Sequence, residues 1–146
     1  YEIAQCLVGS EMCIRDSDLT AIPSNFIYED VTNISYMFNK CRSISSIPDI
    51  DCHLVTSCTA FATDCDNLVT VGNLTGLGES LNNGGILNFA QSLNLSDESL
   101  QNIADSIGTA IAQYTSISLK SNVYDRLTDE QKSLIASKNW SINRIS

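Results

Sequence analysis

The sequence has little of what most chemistry needs. Among 146 residues it has one histidine, His53, one tryptophan, two prolines and eight Lys and Arg against 17 Asp and Glu. A net charge of −9 and a pI near 4.3 repel phosphate backbones and anionic membrane surfaces, so nucleic acid is a poor partner. No apolar run approaches the roughly 18 residues of a bilayer span, so no membrane insertion is expected of this fragment. With no CxxC and a lone histidine, no standard zinc pattern can be written. A serine hydrolase would need His53 as its base, and no G-x-S-x-G occurs. A pair of Cys52 or Cys58 with His53 is equally unsupported by spacing. The Gly-rich stretch from Gly76 to Gly85 lacks the Lys-Ser or Lys-Thr of a phosphate loop and reads as a loop. The expectation is a non-catalytic chain with no cofactor and no metal. A basic stretch followed by an apolar one, the mark of a signal peptide, is not seen at the start. Tyr1 is not an initiator residue, so the chain reads as truncated there.

What is present is globular: 43% hydrophobic and 17% charged residues, mean hydropathy near zero, and a surface rich in Ser, Thr and Asn. The length suits one domain with a real core. Cys6 to Asp16 read CLVGSEMCIRD, eleven residues that resemble a translated transposase-end adapter from DNA sequencing libraries. That resemblance implies that residues 1–17 are an artefact of an assembled, metagenomic sequence and should be set aside in reading the fold. From Asp18 onward, 14 acidic residues stand against seven basic ones, a balance of −7, so the acidic reading survives. Cys41, Cys52, Cys58 and Cys65 remain. Four cysteines can form two disulfides in a secreted protein, whereas stacked buried thiols at Cys41 and Cys65 need no chemistry; both stay open.

Self-similarity dominates the rest. VTNISYMFNKCRS from Val31 aligns with VTSCTAFATDCDN from Val55, 24 residues later. Ile22-Pro23 repeats as Ile47-Pro48 after 25 residues, and Ile47 as Val71 after 24. A period of 24–25 residues lies in the range of leucine-rich repeats. Ile44 and Ile47 are expected to flank a short strand ended by Pro48, which has no N–H for a ladder. Val55, Met37 or Phe61, and Cys41 or Cys65 should point inward from the returning arm. One such unit cannot bury its own apolar face, and stacked units can.

The pattern V-T-x4-[MF]-x3-C-x2-[IL]-x2-[IV]-P resembles the repeats of BspA-like leucine-rich-repeat bacterial surface proteins. Similar repeats occur in tail-associated proteins of gut bacteriophages. The resemblance covers about Asp18 to Gly78, and its third copy has Gly72 where Pro is expected.

After Ile86 the pattern changes. ILNF reads as a short buried strand. Ser96 with Asp97 and Glu98 starts a helix through Leu100, Ile103, Ala104 and Ile107, with Gly108 as its stop. SISLK alternates like a half-buried strand, and TDEQ from Thr128 is a capping box. Trp140 and Ile142 belong to a last strand, Trp140 as a core or cap residue, and Asn139 before it tolerates left-handed backbone. The order strand, helix, strand, helix, strand implies parallel strands joined by helices. This half looks like the C-terminal part often seen after such repeats.

The expected fold class is therefore α/β: a leucine-rich-repeat-type solenoid with short parallel strands and helix-bearing C-terminal turns. Residues 18–79 supply the repeat turns, and residues 80–146 continue and cap the same solenoid. The resemblance implies a binding or adhesion module at the cell surface or outside the cell, whose partner is a protein or glycan. The alternative is a phage virion protein, tail- or fibre-associated, assembling with other virion proteins. Turn residues of types that favour exposure, Tyr28, Asp30, Asp49, Asp51 and His53, are the candidate contacts. Asp49 and Asp51, then Asp64 and Asp66, offer oxygens of the kind calcium prefers. Their positions do not match between repeats and no EF-hand loop is present, so they read as solvated surface acids. Asn33, Asn73, Asn94 and Asn139 each begin an N-x-[ST] sequon, which in a bacterial or phage protein carries no meaning.

Overall fold

In the computed structural model, which describes residue 22 and residues 30–146, the 24-residue offset of the sequence returns as hydrogen bonding. The N–H groups of Ile34, Tyr36, Phe38 and Lys40 donate to the carbonyls of Ser57, Thr59, Phe61 and Thr63 at 2.8–3.0 Å. Asn33 bridges Ser57 in parallel, an offset of 24. On the opposite arm, β1 (Ser46–Ile47) pairs in parallel with β3 (Thr70–Val71), and β2 (Ile50–Asp51) with β4 (Leu74–Thr75), again 24 residues apart. Side chains keep the same step: Arg42 meets Asp66 at 3.0 Å, and Thr56 donates to the Thr32 carbonyl. Each unit is thus one turn of chain laid on the next, with its backbone polar groups satisfied by its neighbour.

The inward positions are those the repeat predicts. Val31, Met37, Cys41, Ile44 and Ile47 are buried in one turn, and Val55, Phe61, Cys65, Leu68 and Val71 in the next. Phe38 is buried as well, opposite Ala62, and its ring packs edge-on against Phe61 with centroids 5.3 Å apart. Phe61 in turn meets Phe89 at 6.4 Å. The small Ala62 opposite Phe38 leaves room for the Phe38 and Phe61 rings to interleave. Gly72 stands where proline was expected because a Cβ there would lie 2.5–2.7 Å from Pro48 and Asp49.

From residue 86 the stack continues with longer connections. β5 (Ile86–Phe89), β6 (Ser116–Lys120) and β7 (Ser141–Ile145) form one parallel sheet in that order. Helix α1 (Asp97–Ser106) joins β5 to β6. A four-residue helix α2 (Ser121–Tyr124), which the sequence pattern did not predict, and α3 (Asp129–Ser137) join β6 to β7. Ser96 caps α1 by accepting from the Ser99 N–H, with Asp97 and Glu98 in the first turn. Thr128 and Gln131 form the expected capping box on α3. The described residues thus form a mixed α/β structure with short parallel strands, three helices and no closed barrel. A single core runs from Val31 to Trp140.

Helix α1 lies where the strands of a third turn would lie. The exposed edge of β3 and β4 needs partners, and one face of α1 supplies them. Ser99 Oγ accepts from the Val71 N–H and donates to the Val69 carbonyl, both at 2.8 Å. Asn102 donates to the Val71 carbonyl, and Ser106 Oγ accepts from the Leu74 N–H. Positions 99, 102 and 106 share a face at helical spacing. Polar side chains thereby replace a backbone ladder and close the edge.

Four local expectations change. Helix α1 stops because Ile107 turns extended (φ −60°, ψ 146°), not because Gly108 turns left-handed. Gly108 is instead packed against Glu79, whose side chain a Cβ there would strike at 2.4 Å. In β6 every residue from Ser116 to Leu119 is buried, so it does not alternate; the Asn143 amide reaches across to both Ser116 Oγ and Ser118 Oγ and satisfies them. Ile86 opens β5 but is 47% exposed. Trp140 sits just before β7, buried, its indole N–H donating to the Gly108 carbonyl at 2.9 Å.

Candidate binding surface

The turn after β2 displays three of the sequence-predicted residues through strand alternation. Ile50 and Cys52 point inward, so Asp49, Asp51 and His53 face solvent. Asp51 Oδ1 accepts from the His53 backbone N–H at 3.2 Å and lies 2.5 Å from His53 Nδ1. Asp49 is not part of that contact. Its Oδ1 accepts from the Asn73 N–H at 2.7 Å and ties this turn to the next. Asp30 is exposed with left-handed backbone (φ 58°), ahead of the Val31 arm. Tyr28 lies outside the described residues.

The structure adds a residue the sequence reading passed over. Glu79, in the Gly-rich loop, brings Oε2 to 4.0 Å from His53 Nε2. Gly76 makes this possible. Its φ is +76°, and a Cβ there would lie 2.6 Å from the imidazole. The Glu79 N–H donates to the Gly76 carbonyl, closing the loop beneath the ring. Glycine clustering beside an acid was the only trace of this in the sequence, and it does not specify a partner 26 residues away.

One imidazole thus stands between two carboxylates. The bond to Asp51, then the charges of Asp51 and Glu79, raise the His53 pKa above its ordinary 6.5. The same hydrogen bond holds the Asp51 carboxyl below its ordinary 3.8. Neither neighbouring nucleophile type serves this ring. Burial, with the charge of Asp51, pushes the Cys52 thiol up to about 12, and burial pushes Cys58 to about 11. Ser80 spends its hydroxyl on the His53 main-chain carbonyl at 2.6 Å. The arrangement presents donors and acceptors to solvent. Cys41, Cys52, Cys58 and Cys65 stand as buried thiols. Three of the acids weighed for calcium are otherwise engaged: Asp66 pairs with Arg42, Asp49 holds the Asn73 backbone, and Asp51 holds His53. Among the described residues no three His, Cys, Asp or Glu side chains group to hold a metal ion, and no helix is long and apolar enough to cross a membrane.

Comparison of the chain with protein-family models, with curated proteins and with solved structures found no match.

Proposed function

We propose that the chain is a leucine-rich-repeat-type solenoid serving as a non-catalytic binding or adhesion module of a BspA-like bacterial surface protein. In this reading residues 1–17 are adapter-derived, residues 18–79 are the repeat turns, and residues 80–146 are the helix-bearing turns that cap them. The observation that carries it is the 24-residue stacking. Backbone ladders and side-chain bonds repeat from turn to turn, and the same outward positions recur on one continuous surface. Stacked turns of this kind offer extended surfaces for partners. The chemistry at His53 supports a binding role over a catalytic one, because the adjacent thiol is inward-facing and protonated and the adjacent hydroxyl is committed to the backbone.

The partner is a protein or glycan met at the cell surface or outside the cell. The test is a screen of the purified chain against a glycan array and a panel of extracellular-matrix proteins. Saturable binding tighter than about 10 μM is expected, weakened in a variant carrying Asp49→Ala, Asp51→Ala and His53→Ala. Failure to bind on both panels overturns the reading. Binding unaffected by the triple substitution moves the contact away from this turn.

A further inference from the structure

Left-handed backbone recurs where the turns stack. The 24-residue step places Tyr36 (φ 61°) in line with Ala60 (φ 52°). The register of β5, β6 and β7 likewise aligns Gly84 (φ 75°), Tyr114 (φ 63°) and Asn139 (φ 67°). Glycine and asparagine accept this conformation readily; a bulky side chain does so against steric resistance. Tyrosine nevertheless occupies two of the five positions. A strained residue of this kind is kept where the surrounding fold imposes it and often where its side chain is used.

Tyr114 is the clearer case. It is 88% exposed, an unusual placement for so large a ring, and Ile111 nearby is 67% exposed. It borders a shallow pocket of about 300 Å³ lined by Tyr114, Thr115, Ala136, Asn139, Trp140 and Ser141. That volume is at the small end of ligand sites. None of the lining side chains is charged. Asn139 Nδ2 donates to the Ala110 carbonyl at 2.9 Å, which fixes the amide and leaves Oδ1 as an acceptor. Ser141 Oγ has only a long 3.4 Å contact to the Thr115 carbonyl and is free to turn. Trp140 is buried, its N–H held by Gly108, so it forms the floor rather than a second platform.

We propose that this pocket is a binding subsite for a neutral pyranose sugar. The Tyr114 ring would lie against the carbon face of the sugar, and Asn139 Oδ1 and the Ser141 hydroxyl would meet its hydroxyls. An exposed aromatic face beside an amide oxygen and a hydroxyl matches a ring with one apolar face and a polar rim. The uncharged lining and the net charge of −9 disfavour anionic sugars. The inference rests on the binding-module reading and names a ligand class and a place for it, remote in sequence from His53.

The test is a ¹H–¹⁵N NMR titration of the full chain with glucose, galactose, N-acetylglucosamine and glucuronate. At least one neutral sugar should shift the Tyr114, Asn139 and Ser141 amides saturably in the millimolar range, with glucuronate weaker. Tyr114→Gly should weaken that sugar about tenfold, the scale of one aromatic contact, without lowering Tm, because glycine suits the left-handed backbone. Tyr114→Phe keeps the platform and should bind within about twofold of the parent. If no neutral sugar moves these amides, or if Tyr114→Gly binds as well as the parent, the subsite is overturned. Binding on the glycan or matrix panel that survives Tyr114→Gly overturns this site alone and leaves the module reading standing.

Discussion

His53 is the only imidazole in the chain, so one ring resonance reports it without ambiguity. Its midpoint is expected above 6.5, and Asp51→Asn should bring it down toward that value, since the Asp51 bond is the largest cause of the shift. The sign of the stability effect follows. A raised histidine pKa favours the fold below the unfolded value, and the gain is lost as pH rises through the folded value. A lowered carboxyl pKa favours the fold above 3.8, and the gain is lost as pH falls through the folded value. The pair therefore contributes only between those limits, and modestly, because both groups are exposed. An unshifted His53 midpoint in the parent chain would mean that the pair does not form in solution. At this scale, much of the core was readable. Phe61 follows from the Val55 motif alone, and Phe61→Ala should cost about 3–5 kcal/mol in urea unfolding. A loss under about 1 kcal/mol would contradict its place between Phe38 and Phe89.

Between elements, the decisive contacts come from polar side chains on α1. Ser99 is fully buried and serves the Val71 N–H and the Val69 carbonyl together. Ser99→Ala would leave both without that partner, at a cost of about 1–3 kcal/mol, measurable as a lower denaturation midpoint. An unchanged midpoint would mean that the β3 edge is satisfied some other way. The helix itself was legible from Ser96, Asp97 and the Leu100, Ile103 and Ala104 spacing. Its role as a substitute strand was not, because Ser99, Asn102 and Ser106 look like ordinary polar helix residues until β3 and β4 lie beside them. Helix α3 follows the same logic: Lys138 donates to the Ala104 and Asp105 carbonyls at the end of α1, and Gln131 donates to Gln101.

At the scale of the whole molecule, residues 1–17, if adapter-derived, add nothing to the stability of the fold. A chain lacking residues 1–17 should melt within about 2 °C of the full chain, a change well under 1 kcal/mol. A drop beyond about 5 °C would place that segment in the folded unit. By itself the sequence determined the 24-residue period, the inward set from Val31 to Val71, the helix caps at Ser96 and Thr128, and the acidic balance. These depend on spacing and on local backbone chemistry, which the chain carries in linear order. Only the tertiary structure decided that Phe38 interleaves with Phe61, that α1 seals an open strand edge, that Glu79 stands across from His53, and that Tyr114 and Asn139 share one pocket. Each of these joins residues about 23 to 32 positions apart, and such contacts arise from how the turns stack, which no local pattern encodes.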